Sequence, residues 1–433
     1  MKKPALFLAS IILAFAMLLS ACQPQTASLP ESQVSAEENT GSAKAAEYAA
    51  ETEKPAPAGG TGAYAVPGWD DRLPSLCETY QDAFLMGAAV NTDALIEGSD
   101  FCRLITKHYN VFVTENEMKP EYVNPAEGVF NFTAPDKFVD FGTSVGAKLR
   151  AHTLVWHKQV PSWWFQGANG GSATSEELLS RMETYITTIM ARYQGKIRTW
   201  DVVNEAISEV GSGLRRDAED SRWASIVGDL DGDGNFNDYI EQAFRFAHAA
   251  DPDAQLIIND FSLESDLTKL DTMYMQVKSM LEKGIPINGI GIQAHIQIDC
   301  PMIAVFEAAI EKLASLREYD SDFTVQVTEL DVSVFDSDDQ STAKELTPEL
   351  QTRLAERYAD LFEMFRRQAE KGNLEMVVIW GVHDGRSWLD GYPVEGRIDA
   401  PLLFDREYIA KPAFWGVIDR DLIPAAVTAY CEE

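Results

Sequence analysis

Two acidic side chains stand where apolar runs break off, and they are the residues best placed to do chemistry. Thr199-Trp200-Asp201-Val202-Val203-Asn204-Glu205 begins β-branched and apolar, as a strand buried on both faces does. It ends in an amide and a carboxylate with no cation beside them. Phe323-Thr324-Val325-Gln326-Val327-Thr328-Glu329-Leu330-Asp331 repeats the pattern far along the chain. Carboxyl groups projecting from two strand ends suit a double displacement at a sugar carbon, in which one protonates the leaving oxygen while the other attacks the carbon. Glu205 is the expected acid/base and Glu329 the expected nucleophile. The two must titrate apart, with burial and like charge raising Glu205 while donors keep Glu329 ionised. Either acid alone could be a buried structural glutamate; the pair in these surroundings points to catalysis.

Such acids need a scaffold that brings distant strand ends together. Strand-like runs fall at Phe84–Val90, Val111–Thr114, Lys148–Leu154, Arg198–Val203, Gln255–Asn259, Gly289–Gln293, Phe323–Leu330 and Met376–Trp380. Amphipathic stretches alternate with them. Thr174-x-x-Glu177 is a capping box that opens a helix closed by Gly195, and Thr347-Pro348 opens another with Gly372 beyond its end. Continuous alternation of this kind predicts an α/β fold, a (β/α)8 TIM barrel forming a single catalytic domain. A doubly wound open sheet is the lesser alternative, since no Gly-rich phosphate turn follows the first strand. Asn91, Glu115, His152, Glu205, Asn259, Gln293, Glu329 and Trp380 close the apolar runs, so a barrel would gather them at one mouth.

The run Trp-Asp-Val-Val-Asn-Glu-Ala, followed later by Thr-Glu-Leu-Asp, resembles family 10 glycoside hydrolases, the endo-β-1,4-xylanases. The resemblance spans nearly all of residues 73–421 and implies cleavage of internal β-1,4 bonds of xylan with retention of configuration. Thr114-Glu115-Asn116-Glu117-Met118-Lys119 matches the segment that holds sugars on the non-reducing side, through Glu115, Asn116 and Lys119. His152-Thr153-Leu154-Val155-Trp156-His157-Lys158-Gln159 implies sugar contacts from His152, Trp156 and Gln159. Asn204, Gln293 and His295 match further substrate positions, with His295 and Asp331 also supporting the nucleophile. Trp380 and Trp388 would supply aromatic walls, whose faces suit the apolar C–H surfaces of pyranose rings. At Phe261-Ser262 the family commonly has Tyr and Asn, which puts the outer subsites in doubt.

A second departure is Asp229-Leu230-Asp231-Gly232-Asp233-Gly234-Asn235-Phe236-Asn237-Asp238. It resembles the first nine positions of an EF-hand-like loop, but Ile240 falls where the closing acid belongs. A structural calcium held by Asp229, Asp231, Asp233, Asn237 and Asp238 and a solvated acidic turn both fit; no cofactor is expected for catalysis itself. His152 and His295 with a carboxylate could in principle hold a catalytic zinc, though sugar and nucleophile contacts explain them better. A glucan-cutting barrel, or a surface protein that binds sugars without cutting them, are the remaining competitors.

The net charge is −32 over 433 residues, which argues against nucleic acid and anionic surfaces as ligands while leaving a neutral polysaccharide indifferent. Residues 1–22 carry Lys2 and Lys3, an apolar run from Leu6 to Leu19, and Leu19-Ser20-Ala21-Cys22. They resemble a lipoprotein signal peptide whose Cys22 would be acylated. Residues 23–69, rich in Ala, Glu, Pro and Gly, read as a disordered linker, and 70–433 as the catalytic domain. The expected protein is an exported, membrane-anchored lipoprotein facing the cell exterior or periplasm. Its expected partners are xylan and xylo-oligosaccharides, with the membrane reached through the lipid anchor, and the expected state is a monomer. Cys77, Cys102, Cys300 and Cys431 allow three disulfide connectivities between which sequence does not choose.

Overall fold

In the computed structural model, residues 64–431 are described. The strands are β1 (Leu85–Val90), β2 (Val111–Thr114), β3 (Lys148–Val155), β4 (Thr199–Asn204) and β5 (Gln255–Asp260). They continue through β6 (Gly289–Ile292), β7 (His295–Gln297), β8 (Thr324–Ser333) and β9 (Met376–Ile379). Each pairs in parallel with its neighbours, and β1 pairs with β9 while β6 pairs with β8, so the sheet closes on itself. Helices such as Ser175–Tyr193, Leu267–Glu282 and Pro348–Glu370 form the outer ring of a (β/α)8 barrel. Both sequence-derived caps are present, Thr174 and Glu177 forming a reciprocal capping box and Thr347 accepting from the Leu350 amide.

Strand period decides what fills the barrel. Ala89, Val111, Val113, Met376, Val378 and Trp380 pack together as an inner cluster, apart from the larger core between strands and helices. Opposite them the lumen is polar. Arg150 on β3 makes a two-pronged ion pair with Asp201 on β4 and also donates to Gln326 on β8, all fully buried. Below, Glu375 accepts from Gln255 and Gln326, each at 2.8 Å. A buried charge is tolerated only when paired and hydrogen-bonded, and the Arg150–Asp201 pair meets that condition.

Two details differ from the sequence expectation. The sixth stave is broken: after Ile292 the backbone turns at Ala294, with φ of 62°, and resumes as β7. That break exists because β8 runs on to Ser333 and offers a second partner, pairing His295 with Asp331. Residues 64–69, assigned above to the linker, are packed onto the barrel. Trp415 Nε1 donates to the Tyr64 carbonyl at 3.0 Å, the two rings meet edge-on at 4.9 Å, and Val66 is buried. Residues 1–63, including the signal-like segment, Cys22 and most of the linker, lie outside the described residues.

Candidate active site

Glu205 leaves β4 with φ of 54°, a left-handed conformation that is uncommon for a side-chain-bearing residue and turns the carboxylate into the mouth. Two contacts fix it there: its amide donates to the Asn259 carbonyl at 2.8 Å, and its carbonyl accepts from Arg215 Nε at 3.0 Å. Glu329 stands in a register shift of β8 between Val327 and Leu330, and its amide donates to the Gln293 carbonyl at 2.9 Å.

One amide cluster joins the two carboxylates. Gln293 Nε2 lies 3.3 Å from Glu205 Oε1 and 3.2 Å from Asn204 Oδ1. Asn259 Nδ2 donates to that same Asn204 oxygen at 2.9 Å and to Glu329 Oε1 at 2.7 Å. Asn259 itself is held by Thr328, whose hydroxyl donates at 2.6 Å. Glycine is required behind it, because a Cβ on Gly291 would come within 2.3 Å of Asn259 Oδ1. Asn259 was visible in the sequence only as one of several polar strand ends; its bridging role depends on a register that spacing along one strand does not show.

The other oxygen of Glu329 faces His295. Nε2 stands 3.1 Å from Glu329 Oε2, and Nδ1 stands 2.9 Å from Asp331 Oδ2. Burial works against an imidazolium here, but the Asp331 and Glu329 carboxylates outweigh it and lift His295 to about 10. Both nitrogens therefore carry protons and donate, one to Glu329 and one to Asp331. Trp388 Nε1 donates to Asp331 at 2.7 Å and completes the support. His152 shows its Nδ1 to Asp201 at 3.0 Å and packs its ring edge against Trp380. Both ring nitrogens of His295 are thus already turned to carboxylates, which leaves it none for a zinc.

Glu205 departs from the expectation that it would be raised. Burial does oppose its ionisation, but His157, Lys158 and Arg215 outweigh that and draw it to about 2 in the open cleft. His157 Nε2 is 3.9 Å from Glu205 Oε2. Burial drives His157 itself down to about 3, so at neutral pH it has no charge to lend. The pull that survives there comes from Lys158 and Arg215. Sequence reading missed Arg215, which lies ten positions beyond Glu205 and reaches it only through a loop that folds back. Replacing Arg215 with glutamine should therefore raise the Glu205 carboxyl and move the alkaline limb of the kcat profile, which reports the sugar-bound enzyme, upward, on the order of half a pH unit. Arg215→Lys should keep the limb in place; a limb unmoved in both variants would show that the arginine only holds the loop.

On the other flank Lys119, Asn116 and Gln159 form a triangle, with Lys119 Nζ 3.0 Å from Asn116 Oδ1 and 2.7 Å from Gln159 Oε1. Gln159 Nε2 reaches Asn116 at 3.1 Å. Burial lowers Lys119 to about 8 and raises Glu115 to about 7. The Lys119 ammonium lies 4.8 Å from the Trp156 ring centroid. Trp380 is buried as floor rather than wall, with the His295 ring edge-on to it. Trp388 is 36% exposed and continues into Tyr392 at 4.9 Å, so the exposed aromatic surface is a pair of which sequence reading found one.

Phe261, the departure after β5, is covered by the Lys269 ammonium at 3.2 Å, and Lys269 pairs with buried Asp260 at 2.7 Å. In the acidic loop, Asp229, Asp231 and Asp238 bring oxygens within 4.8 Å of one another. Asp233 turns instead to Lys283, which also binds Asp231 and Glu241, and Asn237 donates to Glu241. Cys77, Cys102 and Cys431 are free thiols.

Residues 75–420 match the profile of Glycosyl hydrolase family 10. The chain is 43% identical over 357 residues to endo-1,4-beta-xylanase C of Paenibacillus barcinonensis, covering 82% of this chain and 32% of that longer protein. It is 42% identical over 350 residues to endo-1,4-beta-xylanase B of the same organism, covering 81% of this chain and 99% of that one. Among solved structures, an intracellular xylanase from Thermoanaerobacterium saccharolyticum, in a mutant form with xylotetraose, superposes with a TM-score of 0.70. The two are 38% identical, with 80% of this chain and 99% of that one covered.

Proposed function

This chain belongs to glycosyl hydrolase family 10 and is a retaining endo-1,4-β-xylanase, and from that premise we propose how its own residues divide the work. Glu329 attacks the anomeric carbon while Glu205 gives its proton to the departing glycosidic oxygen, leaving a xylosyl ester on Glu329. Glu205, now a carboxylate, takes a proton from water; the water oxygen bonds to the anomeric carbon and Glu329 leaves with its electron pair. The observation that carries this reading is the amide bridge through Asn204, Gln293 and Asn259, which ties both carboxylates to one rigid unit. Asn204 and Gln293 are then poised for the sugar hydroxyls beside the reacting carbon. Glu115, Asn116, Lys119, His152, Trp156 and Gln159 hold the non-reducing side, Trp388 meets a ring face, and Trp380 lies beneath as the floor. Catalysis needs no cofactor, because paired carboxylates supply both proton and nucleophile. The test is release of reducing ends from xylan and from soluble cellulose by the purified protein, with xylan the expected substrate.

The N-terminus extends the proposal to location. Cys22 is acylated and the enzyme works as a monomer on the outer side of a membrane, where a polymer too large to cross can be met. Among the described residues no helix is long and apolar enough to cross a membrane, so the anchor rests on the signal-like segment. Cys22→Ser should release the enzyme into the soluble fraction; continued cosedimentation with membranes would place the anchor elsewhere.

The acidic loop is proposed as a structural calcium site. Asp229, Asp231 and Asp238 offer the all-oxygen ligands that a hard cation prefers, with Asp233 and Asn237 nearby in the loop. Lys283 competes for the same carboxylates. Calcium at 100 times its dissociation constant would add about 2.7 kcal/mol to stability. The melting temperature should therefore rise with calcium and fall with a chelator; an unchanged value would mean that Lys283 suffices as the counter-charge.

A further inference from the structure

Lys119, Lys158, Arg215 and Arg386 all lie on segments that follow strand ends, and they are not equivalent. Lys119 is buried and engaged by Asn116 and Gln159. Arg215 is bound to Glu209 at 2.7 Å, and Arg386 to Asp93 at 3.0 Å. Lys158 alone of the four makes no direct salt bridge or hydrogen bond among the described residues, acting on Glu205 only through its field. It is exposed, and its ammonium lies 6.0 Å from the Trp156 ring centroid. It also follows directly on His157, whose Nε2 lies 3.9 Å from Glu205. An exposed ammonium with no direct salt bridge or hydrogen bond among the described residues thus stands near the Trp156 ring, on the loop that carries His157, in a chain whose net charge is −32.

We propose that Lys158 binds the carboxylate of a uronic acid side group on the xylan chain, and so directs the enzyme toward acidic xylans. The inference rests on the xylanase reading above. An unsubstituted xylan brings no charge to Lys158, whereas a polymer bearing uronic acids is an anion that the protein's overall field repels. A single cation beside the bound chain reverses that repulsion locally. Because the pair is exposed, its contribution is modest and sensitive to salt. The preceding His157 is uncharged at neutral pH, so the positive potential at this point belongs to the lysine.

The experiment compares a uronic-acid-bearing xylan with the same polymer after its carboxyl groups have been reduced to alcohols. The full chain and Lys158→Met are assayed on both, and the ratio of the two kcat/KM values is taken. That ratio cancels any effect of Lys158 on Glu205, which acts on both polymers alike. The ratio is expected to fall about 2–5-fold in Lys158→Met, mainly through KM. In 1 M salt, where the Debye length is only about 3 Å, the two proteins should converge. Equal losses on both polymers, or no loss on either, would overturn the proposal. Failure of the unaltered protein to cut either polymer would instead overturn the xylanase reading itself.

Discussion

Glu329→Ala is expected to lower kcat/KM on xylan by about 10⁴-fold or more, the scale on which removal of a covalent nucleophile is felt. Affinity for xylotriose should survive, because Asn204, Gln293 and the Lys119 triangle do not depend on that carboxylate. The substitution leaves His295 with Asp331 at 2.9 Å, so the imidazolium keeps a partner and the protein should fold. Asn259 loses its 2.7 Å acceptor, which Glu329→Gln supplies again as a control of similar shape. Azide provides a second readout on an aryl xyloside. Its nitrogen can enter the space vacated by the carboxylate and bond to the anomeric carbon while the aryloxide leaves with the bonding pair. The product should be a xylosyl azide of inverted configuration. Retention of more than about 1% of activity by both variants would remove Glu329 from the nucleophile's place.

The scaffold was largely legible before folding because its signals are local. β-branched runs and capping residues lie next to one another in sequence, and the strand bounds shift by a residue or a few at their ends. The two carboxylates that the amide cluster joins were legible for the same reason: an acid that interrupts an apolar strand has to face the mouth or the core. What escaped depends on distant chain segments. Asn259 looks like any polar strand end until the barrel sets it between Asn204 and Glu329. The division of β6 from β7 follows from how far β8 extends, and that is a property of the partner strand. Residues 64–69 resemble the linker in composition, and only Trp415 and Tyr408 show that they are packed. The Glu205 environment was the largest miss. Burial and a neighbouring acid could be foreseen from its position, but Arg215 arrives by a folded-back loop and His157 and Lys158 from a different strand end.

That environment sets the expected behaviour of Glu205→Ala, which should depend on the leaving group. On xylan the departing oxygen is a poor leaving group, so loss of the proton donor should lower kcat/KM by about 10²–10⁴-fold. On an aryl xyloside with an acidic phenol the first step needs little help, and the glycosylation rate should fall far less. The second step still needs a base, so the xylosyl ester on Glu329 should accumulate and appear as a burst of phenol before a slow steady state. The depressed carboxyl of the open cleft suits that second step, in which Glu205 must exist as a carboxylate. Once Glu329 is esterified its negative charge is gone, and Lys158 and Arg215 face one carboxylate fewer. Donation in the first step asks for the opposite, and a bound sugar chain favours it by displacing the water that screens burial. Azide should restore turnover in Glu205→Ala by attacking the xylosyl ester from the face the acid occupied. Its nitrogen takes the anomeric carbon as Glu329 departs, and the product keeps its configuration. Equal losses on xylan and on the aryl xyloside, with no burst and no response to azide, would mean that Glu205 does not move the proton.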